Sequence, residues 1–266
     1  MADSVYISKN LDENQLQFMK LMETYEILYF NMYSIEEKLQ QKFKNLNEIL
    51  ENLVDKELLI RIERGKYALN NYANIHTLAT FIGQNSAIAY WSALHHHGLT
   101  ERFPNTVFVK TTKRKRDTQI LGSVVKFVAV KENKNIGVIQ EGYGDDSFMI
   151  TDIEMTLVDC FDQPRYAGDF TDVIKAFANS KLTNNKLIEY TKAYDNITIT
   201  KRIGYLATLF HKDKLQSFIN YAKTQVNKRY SLIDSGGLQQ GEFISEWKLR
   251  LNISEENLLQ MAQTEY

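Results

Sequence analysis

Between Leu46 and Leu69 the apolar residues change period once, and that change limits the local fold more than any other feature of the chain. Leu46, Ile49, Leu50, Leu53 and Val54 recur at the spacing that lines one face of a helix. After Leu58 the period falls to two, with Ile60 and Ile62 alternating against Arg61 and Glu63. Arg64-Gly65 supplies a turn, and Lys66 to Leu69 returns as a second strand. The stretch reads as a helix, capped by Asn45, that feeds a two-stranded hairpin.

Two more helices precede it. Leu16, Met19, Lys20, Met22 and Glu23 fit one helical repeat, with Phe18 and Tyr25 widening its apolar face. Ile27 to Tyr33 reads as a short extended segment or loop. Ser34-Ile35-Glu36-Glu37 has the form of a capping box, with the Ser34 hydroxyl accepting from a helix N–H while Glu37 reaches back. The helix it opens carries Ile35, Leu39 and Phe43 and breaks at Lys44. Three short helices followed by a hairpin is the order of a winged helix-turn-helix, expected over residues 1–72.

In that architecture the third helix enters the major groove and the hairpin tip lies on phosphates. Candidate DNA contacts are therefore Lys42, Lys44, Asn45, Asn47 and Asn52 around the third helix, and Arg61, Arg64 and Lys66 on the hairpin. Asparagine can read adenine, and the cations suit phosphate. The same helix face holds Glu48, Glu51 and Asp55, which repel phosphate. Either base reading rests on the asparagines or this domain mainly contacts protein.

A chain of 266 residues with 44% hydrophobic residues has material for a second core. We expect an α+β protein, with a larger mixed α/β domain over 73–266. The single cysteine, Cys160, reads as a small core residue of a reducing compartment. No apolar run approaches the roughly 20 residues of a membrane helix, and the first residues lack signal-peptide character, so a cytoplasmic protein with no membrane partner is expected. Net charge is −1. Nucleic-acid binding must therefore rely on local patches.

Ser86 to Leu99 reads as one buried helix beginning at Asn85 or Ser86 and ending at Gly98, with Ile88, Trp91, Ala93 and Leu94 to bury. It carries His95, His96 and His97. Consecutive helical residues point about 100° apart, so three adjacent histidines do not converge on one metal ion. No metal or other cofactor is expected. Thr106 to Thr111 and Val124 to Val130 read as strands, and Lys113-Arg114-Lys115-Arg116 between them as an exposed basic turn. That turn is either a solvated loop or a contact for phosphates or an acidic protein.

Several segments together resemble a known family. These are Arg64 to Leu69, Ser92 to Thr100, and Ile150 to Asp159 followed by Pro164 and Ala167-Gly168-Asp169. Arg202-Ile203-Gly204-Tyr205-Leu206 and the late Trp247 to Asn252 complete the set. The chain resembles the AbiE-type abortive-infection antitoxins, bacterial regulators of type IV toxin–antitoxin phage-defence systems, over roughly residues 14–252. The resemblance implies a winged helix that binds double-stranded operator DNA at inverted repeats and represses its own operon. It also implies a C-terminal domain that adds basic surface, Lys113 to Arg116 here, and antagonism of a nucleotidyltransferase-like toxin.

The rest of the second domain reads as short strands at Val138 to Gln140 and Phe148 to Thr151, then five helices. Phe243 to Leu251 alternates and is expected to rejoin the sheet. Arg202 is expected to pair with Asp152, Glu154 or Asp159. Asp152-Ile153-Glu154 matches the alternating carboxylates with which nucleotidyltransferases hold magnesium. Such enzymes also need a glycine turn to cradle the triphosphate, and Gly142-Tyr143-Gly144 runs instead into Asp145-Asp146. Neither a Walker loop, a nucleophile elbow nor a His-Glu-x-x-His motif is present. We expect a binding protein rather than an enzyme. A protein-interaction module or stand-alone regulator is the alternative, and a nucleotidyltransferase-like enzyme the third reading.

Overall fold

A computed structural model describes residues 10–263. It is a mixed α+β structure with three sheets among those residues. The described chain divides into two compact units, 10–82 with 142–147, and 83–141 with 148–263.

The first unit runs α1 (Glu13–Thr24), β1 (Tyr29–Asn31), α2 (Ile35–Lys38), α3 (Leu46–Asp55), β2 (Leu59–Glu63), β3 (Lys66–Leu69) and α4 (Ile75–Ile82). Its sheet has the order β1-β3-β2, antiparallel throughout, with Phe30 opposite Tyr67 and Leu59 opposite Leu69. Gly65, at φ +75°, takes the left-handed position of the hairpin turn that a side chain would strain. Phe18, Phe30, Leu50, Leu53 and Tyr67 fill the core, and Phe30 stacks on Tyr67 at 5.7 Å.

The N-terminal capping box forms, but at a different helix. Asp12 accepts from Gln15 N–H, and Gln15 accepts in return from Asp12 N–H. The box expected at Ser34 and Glu37 is absent. Ser34 Oγ donates to the Asn31 carbonyl instead, and α2 is a single turn that ends before Gln40, whose φ is +53°. Leu39 and Phe43 thus lie beyond the helix, although Leu39 is still buried. Asn45 precedes α3 as expected but sits in the left-handed region, its side chain donating to Glu48 rather than accepting from a helix N–H.

The expected domain junction was 72/73, whereas the units part at 82/83. Tyr29 packs edge-on against Phe81 at 4.8 Å, and Lys66 Nζ donates to the Phe81 carbonyl, which ties α4 to the first unit. The loop 142–147 belongs to the same unit. Its Asp145 carbonyl accepts from Tyr72, and its Asp146 carbonyl from Asn74 and Thr77.

The second unit holds a six-stranded sheet of β4 (Ser86–Ile88), β5 (Thr106–Thr111), β6 (Thr118–Ile120), β7 (Ser123–Ala129), β8 (Val138–Glu141) and β9 (Phe148–Thr151), in the order β6-β7-β5-β4-β9-β8. Ser86 to Ile88 is therefore a strand and not the start of a helix. It is antiparallel to β5 and parallel to β9, and Ala87 and Ile88 are fully buried. Backbone pairing on both edges outweighs the helix preference of its alanine, which is a weak prior against tertiary context. The helix is only α5 (Tyr90–His96), closed by Gly98.

Six helices follow: α6 (Ile153–Asp162), α7 (Phe170–Asn179), α8 (Asn184–Tyr194), α9 (Ile197–Leu209), α10 (Gln216–Thr224) and α11 (Glu255–Gln263). Between the last two, β10 (Ser231–Leu232), β11 (Glu242–Ile244) and β12 (Leu249–Leu251) form a separate sheet. Phe243 to Leu251 does not rejoin the main sheet as expected. Trp247 and Leu249 bury themselves in the helical core instead. Gly204 makes this possible, because a Cβ there would stand 2.5 Å from the Trp247 ring.

Candidate nucleic-acid interface

The turn before α3 and the first residues of that helix expose Lys42, Lys44, Asn45 and Asn47 together, and Asn52 follows half-buried. On the hairpin the three cations have different fates. Arg64 is exposed at the turn. Arg61 pairs with Glu51 of α3 at 3.2 Å, and the Tyr67 hydroxyl donates to the same carboxylate at 2.9 Å. Burial, then the Glu51 hydrogen bond, raises the Tyr67 phenol above its usual value. Lys66 faces inward. Its ammonium donates to the Phe81 carbonyl at 3.1 Å, pairs with Glu63 at 3.0 Å and lies over the Phe81 ring. Lys66, expected as a phosphate contact, thus has two of its three donors engaged inside the unit.

In the second unit Lys113, Arg114 and Arg116 are exposed on the loop between β5 and β6. Lys115 is half-buried over the Phe127 ring at 5.5 Å. Asp117 accepts from Phe127 N–H at 3.2 Å and pairs with Lys126, which anchors the end of the loop. The three exposed cations are thus presented from a fixed base.

The histidines go to separate neighbours. His95 packs on Phe103 at 5.0 Å, His96 on Phe148 at 5.2 Å, and His97 Nε2 lies 2.7 Å from the Thr151 carbonyl. Among the described residues no group of three His, Cys, Asp or Glu is set to hold a metal ion.

The two carboxylates of the enzyme reading have internal partners. Asp152 caps α6 by accepting from Met155 N–H at 2.8 Å, and it also accepts from Tyr190 at 2.8 Å. Glu154 accepts from the Thr183 N–H and hydroxyl at 2.9 and 2.7 Å. Lys186 pairs with both. Arg202 pairs with neither, nor with Asp159, contrary to expectation. Its Nε donates to the Leu232 carbonyl, and Asp159 is taken by Lys110 at 2.9 Å and by Tyr194. Lys110 and Asp159 are both buried. Their pairing was not readable from the sequence, although a lysine inside the apolar strand Thr-Val-Phe-Val-Lys-Thr signals the need for a counter-charge.

No family model matches the chain, and neither does any curated protein. The crystal structure of the RV2827C protein from Mycobacterium tuberculosis superposes with a TM-score of 0.68 over 97% of this chain and 97% of its own, at 13% sequence identity. The two chains share a fold. At that identity the likeness concerns architecture alone. Among the described residues, no helix is long and apolar enough to cross a membrane.

Proposed function

We propose that this chain is a DNA-binding autoregulator and antitoxin of the AbiE type, with a winged helix-turn-helix as its first unit. The observation that carries the reading is the element order of that unit. Helix, strand, two helices and a hairpin close into one three-stranded sheet. In a winged helix this order offers α3 to the major groove and the hairpin turn to the phosphates. Exposed Lys42, Lys44 and Arg64 supply positive charge at those places, Asn47 an amide for base edges, and Lys113, Arg114 and Arg116 a second basic contact. Its partners in this reading are double-stranded operator DNA at inverted repeats and a nucleotidyltransferase-like toxin. The test is fluorescence anisotropy with duplex DNA from upstream of its own gene, titrated with salt. Binding whose logarithm falls linearly with log salt is expected. Absence of duplex binding at low salt overturns the reading.

A second reading, a protein-interaction module that no longer reads DNA, is favoured by one observation. Glu51 neutralises Arg61, and Lys66 is turned inward, so the hairpin offers less free charge than its sequence promises.

A further inference from the structure

A cleft of about 690 Å³ lies in the second unit, where two stretches of the resemblance meet: Pro164 to Asp169, just after α6, and Arg202 on α9. Phe161, Val173 and Arg202 are buried at its floor. Arg165 and Ser235 are exposed at its mouth.

Arg202 is only 6% exposed, yet its contacts are to neutral acceptors. Its Nε donates to the Leu232 carbonyl at 2.9 Å and its Nη1 to the Phe161 carbonyl at 3.5 Å. Among the described residues no carboxylate forms an ion pair with it, and no acceptor meets Nη2. Burial pulls the guanidinium down to about 10, and the field of Asp234 offsets this only in part. Of the two acids that line the cleft, neither forms an ion pair with Arg202. Asp234 Oδ1 accepts from Gly236 N–H at 2.9 Å, and Asp169 pairs with Arg102. The cleft therefore keeps at its floor a buried cation with no ion-pair partner, and a second, Arg165, at its mouth.

A buried charge without a counter-charge is costly, and a guanidinium fork matches carboxylate or phosphate oxygens. Apolar walls with a few convergent polar groups, at volumes of about 300–1,000 Å³, characterise small-molecule sites. We propose that this cleft binds a small organic anion, with Arg202 holding its carboxylate or phosphate group and the wall of Phe161, Phe170 and Val173 its apolar body. Arg165 draws the anion to the mouth. The site is separate from the residues assigned to DNA and does not depend on that assignment.

The test uses the full chain without DNA, titrated calorimetrically with phenyl phosphate, phenylacetate and neutral benzyl alcohol at millimolar concentrations. At least one anion is expected to bind and to raise the melting temperature, while benzyl alcohol does neither. The tighter of the two identifies the preferred anionic group. Arg202→Gln is expected to weaken that anion at least tenfold. Ser235→Trp, at an exposed loop position, is expected to block the cleft without disturbing the core, which covers the case in which Arg202→Gln fails to fold. The proposal is overturned if neither anion binds, if the alcohol binds as tightly, or if Ser235→Trp leaves the affinity unchanged. Loss of duplex binding with intact anion binding would remove the regulator reading and leave this one standing.

Discussion

Glu51 on α3 holds Arg61 on β2 across 3.2 Å. A carboxylate on the helix expected to face DNA thus neutralises a cation on the hairpin expected to grip it. Glu51→Gln should free Arg61 for phosphate, tighten duplex binding at low salt and steepen the salt dependence by about one phosphate equivalent. As an exposed pair it contributes only about 0–1 kcal/mol to folding, so the melting temperature should barely move. An anisotropy salt titration of wild type and variant decides it. Unchanged affinity and slope would mean that Arg61 never reaches DNA.

The other two hairpin cations should behave oppositely. Arg64→Ala is expected to weaken duplex binding and lower the salt slope while leaving urea unfolding unchanged. Lys66→Ala removes a hydrogen bond to Phe81 and the pair with Glu63, so it should cost about 1 kcal/mol of stability with little change in slope. Equal slopes for the two variants would contradict the inward orientation of Lys66.

Lys110 and Asp159 are buried as a pair, with burial raising the Asp159 carboxyl despite the opposing ammonium. Lys110→Met leaves the buried Asp159 carboxylate of α6 without its counter-charge and should cost about 3–5 kcal/mol. The double variant Lys110→Met/Asp159→Leu should recover most of that loss, as measured by urea denaturation. A double variant as unstable as the single one would show that Tyr194, not the ion pair, governs the site.

Much of the first unit was legible in the sequence because its helices and hairpin announce themselves by local period and by a Gly turn. Where sequence reading failed, a distant partner had decided the outcome. Ala87-Ile88 reads as helix locally and becomes a central strand because β5 and β9 flank it. Ser34 has the residues of a capping box, but α2 is one turn long and its hydroxyl turns to Asn31. In the candidate interface, the sequence reading put Lys66 with Arg64 on the hairpin as a phosphate contact, while the Phe81 carbonyl, fifteen residues on, draws its ammonium inward. No spacing rule reveals an acceptor on another element.

His96 should make stability depend on pH. Partial desolvation of this exposed residue's ring, which packs on Phe148, then the neighbouring His97, lowers its pKa below the ordinary 6.5. The unfolded chain thus binds more protons near neutrality, so stability rises with pH through this window and is lost as pH falls below about 6.5. His96→Gln should flatten the dependence of the unfolding free energy between about pH 5 and 7. An unaltered slope would assign the pH response to other groups.

The loop 142–147 has a consequence for how the protein is made. Tyr72, Asn74 and Thr77 donate to carbonyls of Asp145 and Asp146. On the ribosome those acceptors emerge some seventy residues after their donors, and at about 5–20 residues per second the delay is seconds long. Until then α1 to α4 must wait with those polar groups solvated. A nascent chain therefore completes its first unit only after translation has passed Ser147.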